Sequence, residues 1–74
     1  MDRYVLTSTI YYGETKLIFY GIALIKTSGE ACELIEKYND LSTDKEKMEQ
    51  LVDNCNKLNL DKSQFYDVVE KLLS

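Results

Sequence analysis

The chain has 74 residues, 13 of them acidic and 9 basic, none histidine, for a formal net charge of −4. A chain this short supports one domain that buries only about 60% of its unfolded surface, and the single domain is expected to span residues 1–74. With 45% apolar and 30% charged residues, it is too hydrophobic for a disordered chain and too charged for a membrane span. The missing histidine excludes a Ser-His-Asp or Cys-His dyad, a His-ligated zinc and an imidazole pH switch.

The first half reads as three strands. Tyr4 to Tyr12 alternates, with Tyr4, Leu6, Ile10 and Tyr12 on one side and Val5, Thr7, Thr9 and Tyr11 on the other. Gly13-Glu14 is a turn signal. Lys16 to Lys26 is apolar on both faces, as a central strand is. Thr27-Ser28-Gly29 suits a three-residue hairpin loop, pairing Ile22 with Leu34 and Leu24 with Cys32. That register sends Ile18, Tyr20, Ile22 and Leu24 to the core and Phe19, Gly21 and Ala23 outside. A two-residue turn at Ser28-Gly29 would swap the faces. Gly13 as the first central residue of a type II′ turn asks for the opposite parity, and only a bulge reconciles the two hairpins. Ala31 to Tyr38 alternates again, with Cys32, Leu34 and Tyr38 opposite Glu33 and Lys37.

The second half reads as two helices. Thr43 and Glu46 have capping-box spacing, ahead of Met48, Leu51, Val52, Cys55 and Leu58. Asp61 and Gln64 form a second box, with Leu60 and Phe65 at the positions of a hydrophobic staple. Phe65, Val68, Val69, Leu72 and Leu73 then repeat at helical spacing. Both helices are too short to persist alone, so both must dock on the sheet. The expected class is α+β: a three-stranded antiparallel β-meander followed by two α-helices packed on one face, β-β-β-α-α. Leu51, Val52, Val69 and Leu72 are expected to be buried there.

Motifs with chemistry are scarce. Asp40-x-Ser42-x-Asp44 opens like a calcium loop, but the sixth position is Lys45 and the twelfth Leu51. Glu30, Glu33 and Glu36 alternate faces on a strand, and Glu49 and Asp53 lie on a solvated helix face. No catalytic residue, metal site or cofactor is expected, and the protein is not expected to be an enzyme. The outward residues of the last helix (Lys62, Ser63, Tyr66, Asp67, Glu70 and Lys71) make a poor nucleic-acid recognition helix. Residues 42–74 mix Asp44, Glu46, Glu49, Asp53, Asp61, Asp67 and Glu70 with Lys45, Lys47, Lys57, Lys62 and Lys71. No basic stripe survives that mixture, so neither nucleic acid nor an anionic membrane surface is an expected partner. Cys32 and Cys55 read as buried, reduced core residues. Residues 1–4 show no secretory signal, and the nine apolar residues from Leu17 to Ile25 are too short to span a bilayer, so a cytoplasmic protein is expected.

Tyr20-Gly21-Ile22 in the middle strand, then Asp40-Leu41-Ser42-Thr43-Asp44-Lys45-Glu46-Lys47 and Leu51-Val52 at the first helix, resemble a family of short uncharacterised proteins of clostridia and related Firmicutes. Leu60 to Leu73 is similar to that family's closing helix, with different residues at 61–64. The resemblance implies a bacterial, cytoplasmic domain of unknown function and supplies no catalytic residue.

What the sequence does offer is surplus apolar surface. Two helices cover one face of three strands, while the middle strand is apolar on both. The candidate interface is Leu17, Phe19 and Ile25, flanked by Tyr11 and Ile35. A non-enzymatic protein-interaction or small regulatory module is therefore expected, with a homodimer as its first partner. The alternative is an acidic inhibitor or nucleic-acid mimic, phage-derived, in a basic groove of a host protein; it rests on the net charge of −4.

Overall fold

The computed structural model describes residues 2–73, without the side chain of Leu73. Strands β1 (Asp2–Tyr12), β2 (Lys16–Ser28) and β3 (Ala31–Ser42) are followed by helices α1 (Lys45–Leu58) and α2 (Lys62–Leu73). The sheet is antiparallel in the order β1-β2-β3. Helix α1 lies over β1 and β2 and α2 over β3, all on one face. The meander and the two-helix closure expected from the sequence are both present.

The register differs from the expected one. β1 and β2 pair without interruption from Asp2↔Lys26 to Tyr12↔Lys16, around a three-residue loop at 13–15. The second hairpin pairs Ser28 with Ala31, so its loop is the dipeptide Gly29-Glu30. Gly29 has φ +61°, the positive φ that a type II′ turn requires at its first central residue and that glycine adopts freely. Neither loop anticipated around Ser28 forms.

Two irregularities interrupt the β2–β3 ladder, and the first of them restores the faces. The pairing steps from Ile25↔Leu34 to Leu24↔Glu36, leaving Ile35 as an extra residue, and shifts again between Ile22↔Tyr38 and Tyr20↔Ser42. A bulged residue inverts the parity of everything beyond it. Tyr38 therefore faces the helices as expected, whereas Leu34 and Cys32 do not. Leu34 is 57% exposed, and Cys32 is exposed beside it rather than buried. The second bulge holds Asp40 at φ 57°, a region that aspartate visits more readily than most residues.

The core is Tyr4, Ile22, Leu24, Met48, Cys55, Phe65 and Val69. Phe65 is its centre, with edge-on ring contacts to Tyr4 at 4.7 Å and Tyr38 at 5.4 Å between centroids. Val69 is buried as expected; Leu51, Val52 and Leu72 pack around the cluster only partly buried.

Both helix starts are capped, one of them a residue away from expectation. The N-cap of α1 is Asp44 and not Thr43: its carboxylate accepts from the Lys47 amide at 3.1 Å, and its own amide donates to Ser42 Oγ at 3.1 Å. At α2 the Asp61–Gln64 box closes in both directions, at 2.8 and 3.0 Å. Asp61→Ala should lower stability by about 1 kcal/mol in denaturant melts. Between the helices, Asn59 in the left-handed region (φ 51°) lets its amide reach the Asn56 carbonyl and the Leu60 amide reach Cys55, a Schellman closure.

One polar side chain ties α1 to the sheet edge. Asn56 accepts from the Tyr4 amide at 2.8 Å and donates to the Tyr4 carbonyl at 2.9 Å. It thus completes the backbone of an edge residue as a further strand would. The Tyr4 hydroxyl donates to the Leu60 carbonyl at 2.6 Å, on the chain between the helices. Asn56→Ala strips both backbone groups of their partners and should cost about 1–3 kcal/mol in the same melts. Asn56→Asp should do no better, because a carboxylate cannot donate to the carbonyl.

Burial also tunes Tyr4. Desolvation, followed by the negative charges of Cys55 (as thiolate), Asp61 and Asp2, pushes its phenol up to about 12. The native state therefore holds this proton after the unfolded chain has lost it near pH 10. Its contribution is complete below pH 10 and is lost as pH rises towards 12, a fall of about 2–3 kcal/mol. Denaturant melts between pH 9 and 12 should show that fall in the parent and a smaller one in Tyr4→Phe.

Candidate functional site

Strand and helix lengths create the uncovered surface. Thirteen residues of β2 extend about 43 Å, and the molecule is 42 Å in its longest dimension. The 14 residues of α1 rise only about 21 Å. The helices therefore cover the Tyr4–Leu24 end of the sheet and leave the β1–β2 hairpin tip projecting. At the tip even the helix-side face is open, with Ile10 at 43% and Tyr12 at 80% exposure. β3 ends opposite Tyr20, so Lys16 to Phe19 have β1 on one side and no strand on the other.

The face away from the helices carries no helix; Gly21 and Ala23 at its centre are buried by their neighbours, and the exposed apolar side chains lie towards its two ends. Cross-strand pairs Tyr11↔Leu17, Thr9↔Phe19, Thr7↔Gly21, Val5↔Ala23 and Arg3↔Ile25 lie on it, continued by Ile25↔Leu34 and Thr27↔Cys32. Of the expected interface residues, Tyr11, Leu17, Phe19 and Ile25 share this face. Ile35 does not; as the bulged residue it packs against the core cluster. Leu34 takes the place that Ile35 was expected to hold, and strand alternation alone carries no sign of that exchange.

Tyr11 organises the tip end. Its ring meets Phe19 edge-on at 5.6 Å, and its hydroxyl donates to the Asp40 carboxylate. The phenol is raised, first by that hydrogen bond and then by burial and the Asp40 charge. The second bulge thus brings a β3 carboxylate across β2 to hold a β1 aromatic.

On the opposite side a cleft of about 380 Å³ lies between β3 and α2, lined by Glu36, Tyr38, Lys62, Ser63 and Tyr66. Glu36 and Lys62 pair with each other at 3.5 Å, so each charge in it is already answered. Burial first, then Glu36 and Tyr66, raises the Tyr38 phenol. Among the described residues, no group of three or more Cys, Asp or Glu is placed to hold a metal ion. Nor, among the described residues, is any helix long and apolar enough to cross a membrane.

Fold and surface together define a small α+β domain with one armoured face and one bare one. The chain belongs to a family of unknown function, DUF6514, whose model matches residues 2–74. No curated protein and no solved structure matches it.

Proposed function

We propose that the domain is a non-enzymatic protein-interaction module whose helix-free sheet face receives a protein partner. The observation that carries this reading is the set of apolar side chains Tyr11, Leu17, Phe19, Ile25 and Leu34, exposed or half-buried on a face that no helix covers. An ordered, aromatic-bearing apolar surface rimmed by polar groups is the usual form of a protein-binding patch. Arg3, Lys37 and Asp40 supply that rim. The bacterial, cytoplasmic setting implied by the family resemblance belongs to the same reading, and the free thiols of Cys32 and Cys55 are compatible with it.

The test is affinity capture from the native cell with the parent and with a Leu17→Glu, Leu34→Glu double variant. Both side chains are about half exposed, so the variant should fold. A partner retained by the parent in 0.5 M salt and lost by the variant supports the reading. Capture that collapses with salt and ignores the double variant would overturn it in favour of an acidic mimic.

A further inference from the structure

β1 is the sheet's outer strand, and its register with β2 runs over eleven consecutive pairs without a bulge. Because the Tyr4 amide and carbonyl both turn outward to Asn56, antiparallel alternation turns those of Leu6, Ser8, Ile10 and Tyr12 outward as well. Asn56 blocks the edge at Tyr4. From Leu6 to Tyr12 the usual protections are missing: the segment has no charged residue, proline or bulge. The outer edge of β3, by contrast, carries two bulges and Glu33, Glu36, Lys37 and Asp40.

We infer that the Leu6–Tyr12 edge of β1 pairs antiparallel with the same segment of a second copy, centred on Thr9, to give a six-stranded sheet. This goes beyond the open face described above and uses different backbone. Centred there, Leu6 lies opposite Tyr12 of the second copy and Ser8 opposite Ile10, while Thr9 meets its own symmetry mate and Thr7 meets Tyr11. All of these pairs are neutral, so self-pairing meets no like-charge penalty. The two-fold axis stands perpendicular to the sheet, and both helix layers fall on one side of it. The hairpin tip that each copy's helices fail to reach, with Ile10 and the 80% exposed Tyr12, is then laid against the flank of the other copy's α1. That fit selects a second copy over an unrelated extended peptide, which would leave the tip bare. Seven edge residues run about 23 Å; a short edge with a tip contact belongs at the low end of the interface size range, below the roughly 800 Å² per partner of a standard one, and dissociation in the micromolar range is expected.

The experiment is sedimentation equilibrium between about 1 and 200 μM on the parent, Ser8→Pro and Phe19→Asp, with melts to confirm folding. Ser8 sends its N–H away from β2, so proline there spares the ladder and removes an edge donor. The expected result is a dimer in the parent, dissociation at least tenfold weaker in Ser8→Pro, and little change in Phe19→Asp. Thr9→Cys in a Cys32→Ser background should form an intermolecular disulfide with oxidised glutathione, and Thr7→Cys should not. A parent that stays monomeric throughout overturns the inference and leaves the open face to another protein. A dimer lost in Phe19→Asp but kept in Ser8→Pro also overturns it, while supporting the face as the interface.

Discussion

Phe65→Ala should cost about 3–5 kcal/mol in denaturant melts, the range for a fully buried phenylalanine. Phe65 is completely buried. It touches the sheet through Tyr4 on β1 and Tyr38 on β3, and it is the hydrophobic staple that opens α2. Its removal leaves a cavity where both edge strands meet the last helix, and the two tyrosine rings lose their edge-on partner. A domain of this length is expected to have about 4–11 kcal/mol in all, so the variant should lose between about a third and all of its stability. Phe65→Leu, which keeps most of the volume, should lose less than half as much. Equal losses in the two variants would mean that α2 is not seated through this ring.

Much of that seating is legible in the sequence. Asp61 and Gln64 announce the helix start, Leu60 and Phe65 sit at staple positions, and the stripe from Phe65 to Leu72 marks the docking face. The faces of β1 are also legible, because its alternation is uninterrupted. β2 is apolar on both faces, so which of them meets the helices hangs on hairpin registers that pull opposite ways, and it is the unbroken β1–β2 pairing that puts Leu17, Phe19 and Ile25 beside Tyr11. β3 is different. No glycine or proline marks the extra residue at Ile35, and a single unmarked bulge sends Leu34 and Cys32 to the open face and Ile35 to the core. Asn56 and Asp40 act across long sequence separations on β1, and neither has a local pattern that reveals its partner. The only hint for Asn56 is its place one turn after Val52, on the apolar side of α1.

Gly21→Ala should destabilise by at least about 3 kcal/mol, and Gly21→Val should fail to fold. Glycine normally weakens a strand interior, and here it lies in the middle of the central one. The reason is the second bulge. As β3 leaves its register between Tyr38 and Ser42, its backbone closes over Gly21 on the open face. A Cβ at this position would overlap the Tyr38 carbonyl oxygen, and would sit 2.9 Å from Thr7 Oγ1 and 3.0 Å from Asn39 Cα. The threonine hydroxyl can rotate away, but the two backbone atoms can move only if β3 separates from β2. That separation carries Tyr38 off Phe65 and Asp40 off Tyr11, so the core and the open face loosen together. Thr7→Ala should therefore not rescue Gly21→Ala, and the double variant should melt within about 0.5 kcal/mol of the single one, apart from the small effect of Thr7→Ala alone. Substantial rescue would place the clash on the hydroxyl, and the close approach of β3 at Tyr38 would then be wrong. In the Gly21→Ala protein that still folds, the Tyr11 phenol should titrate closer to pH 10, since the Asp40 hydrogen bond that raises it depends on the same bulge.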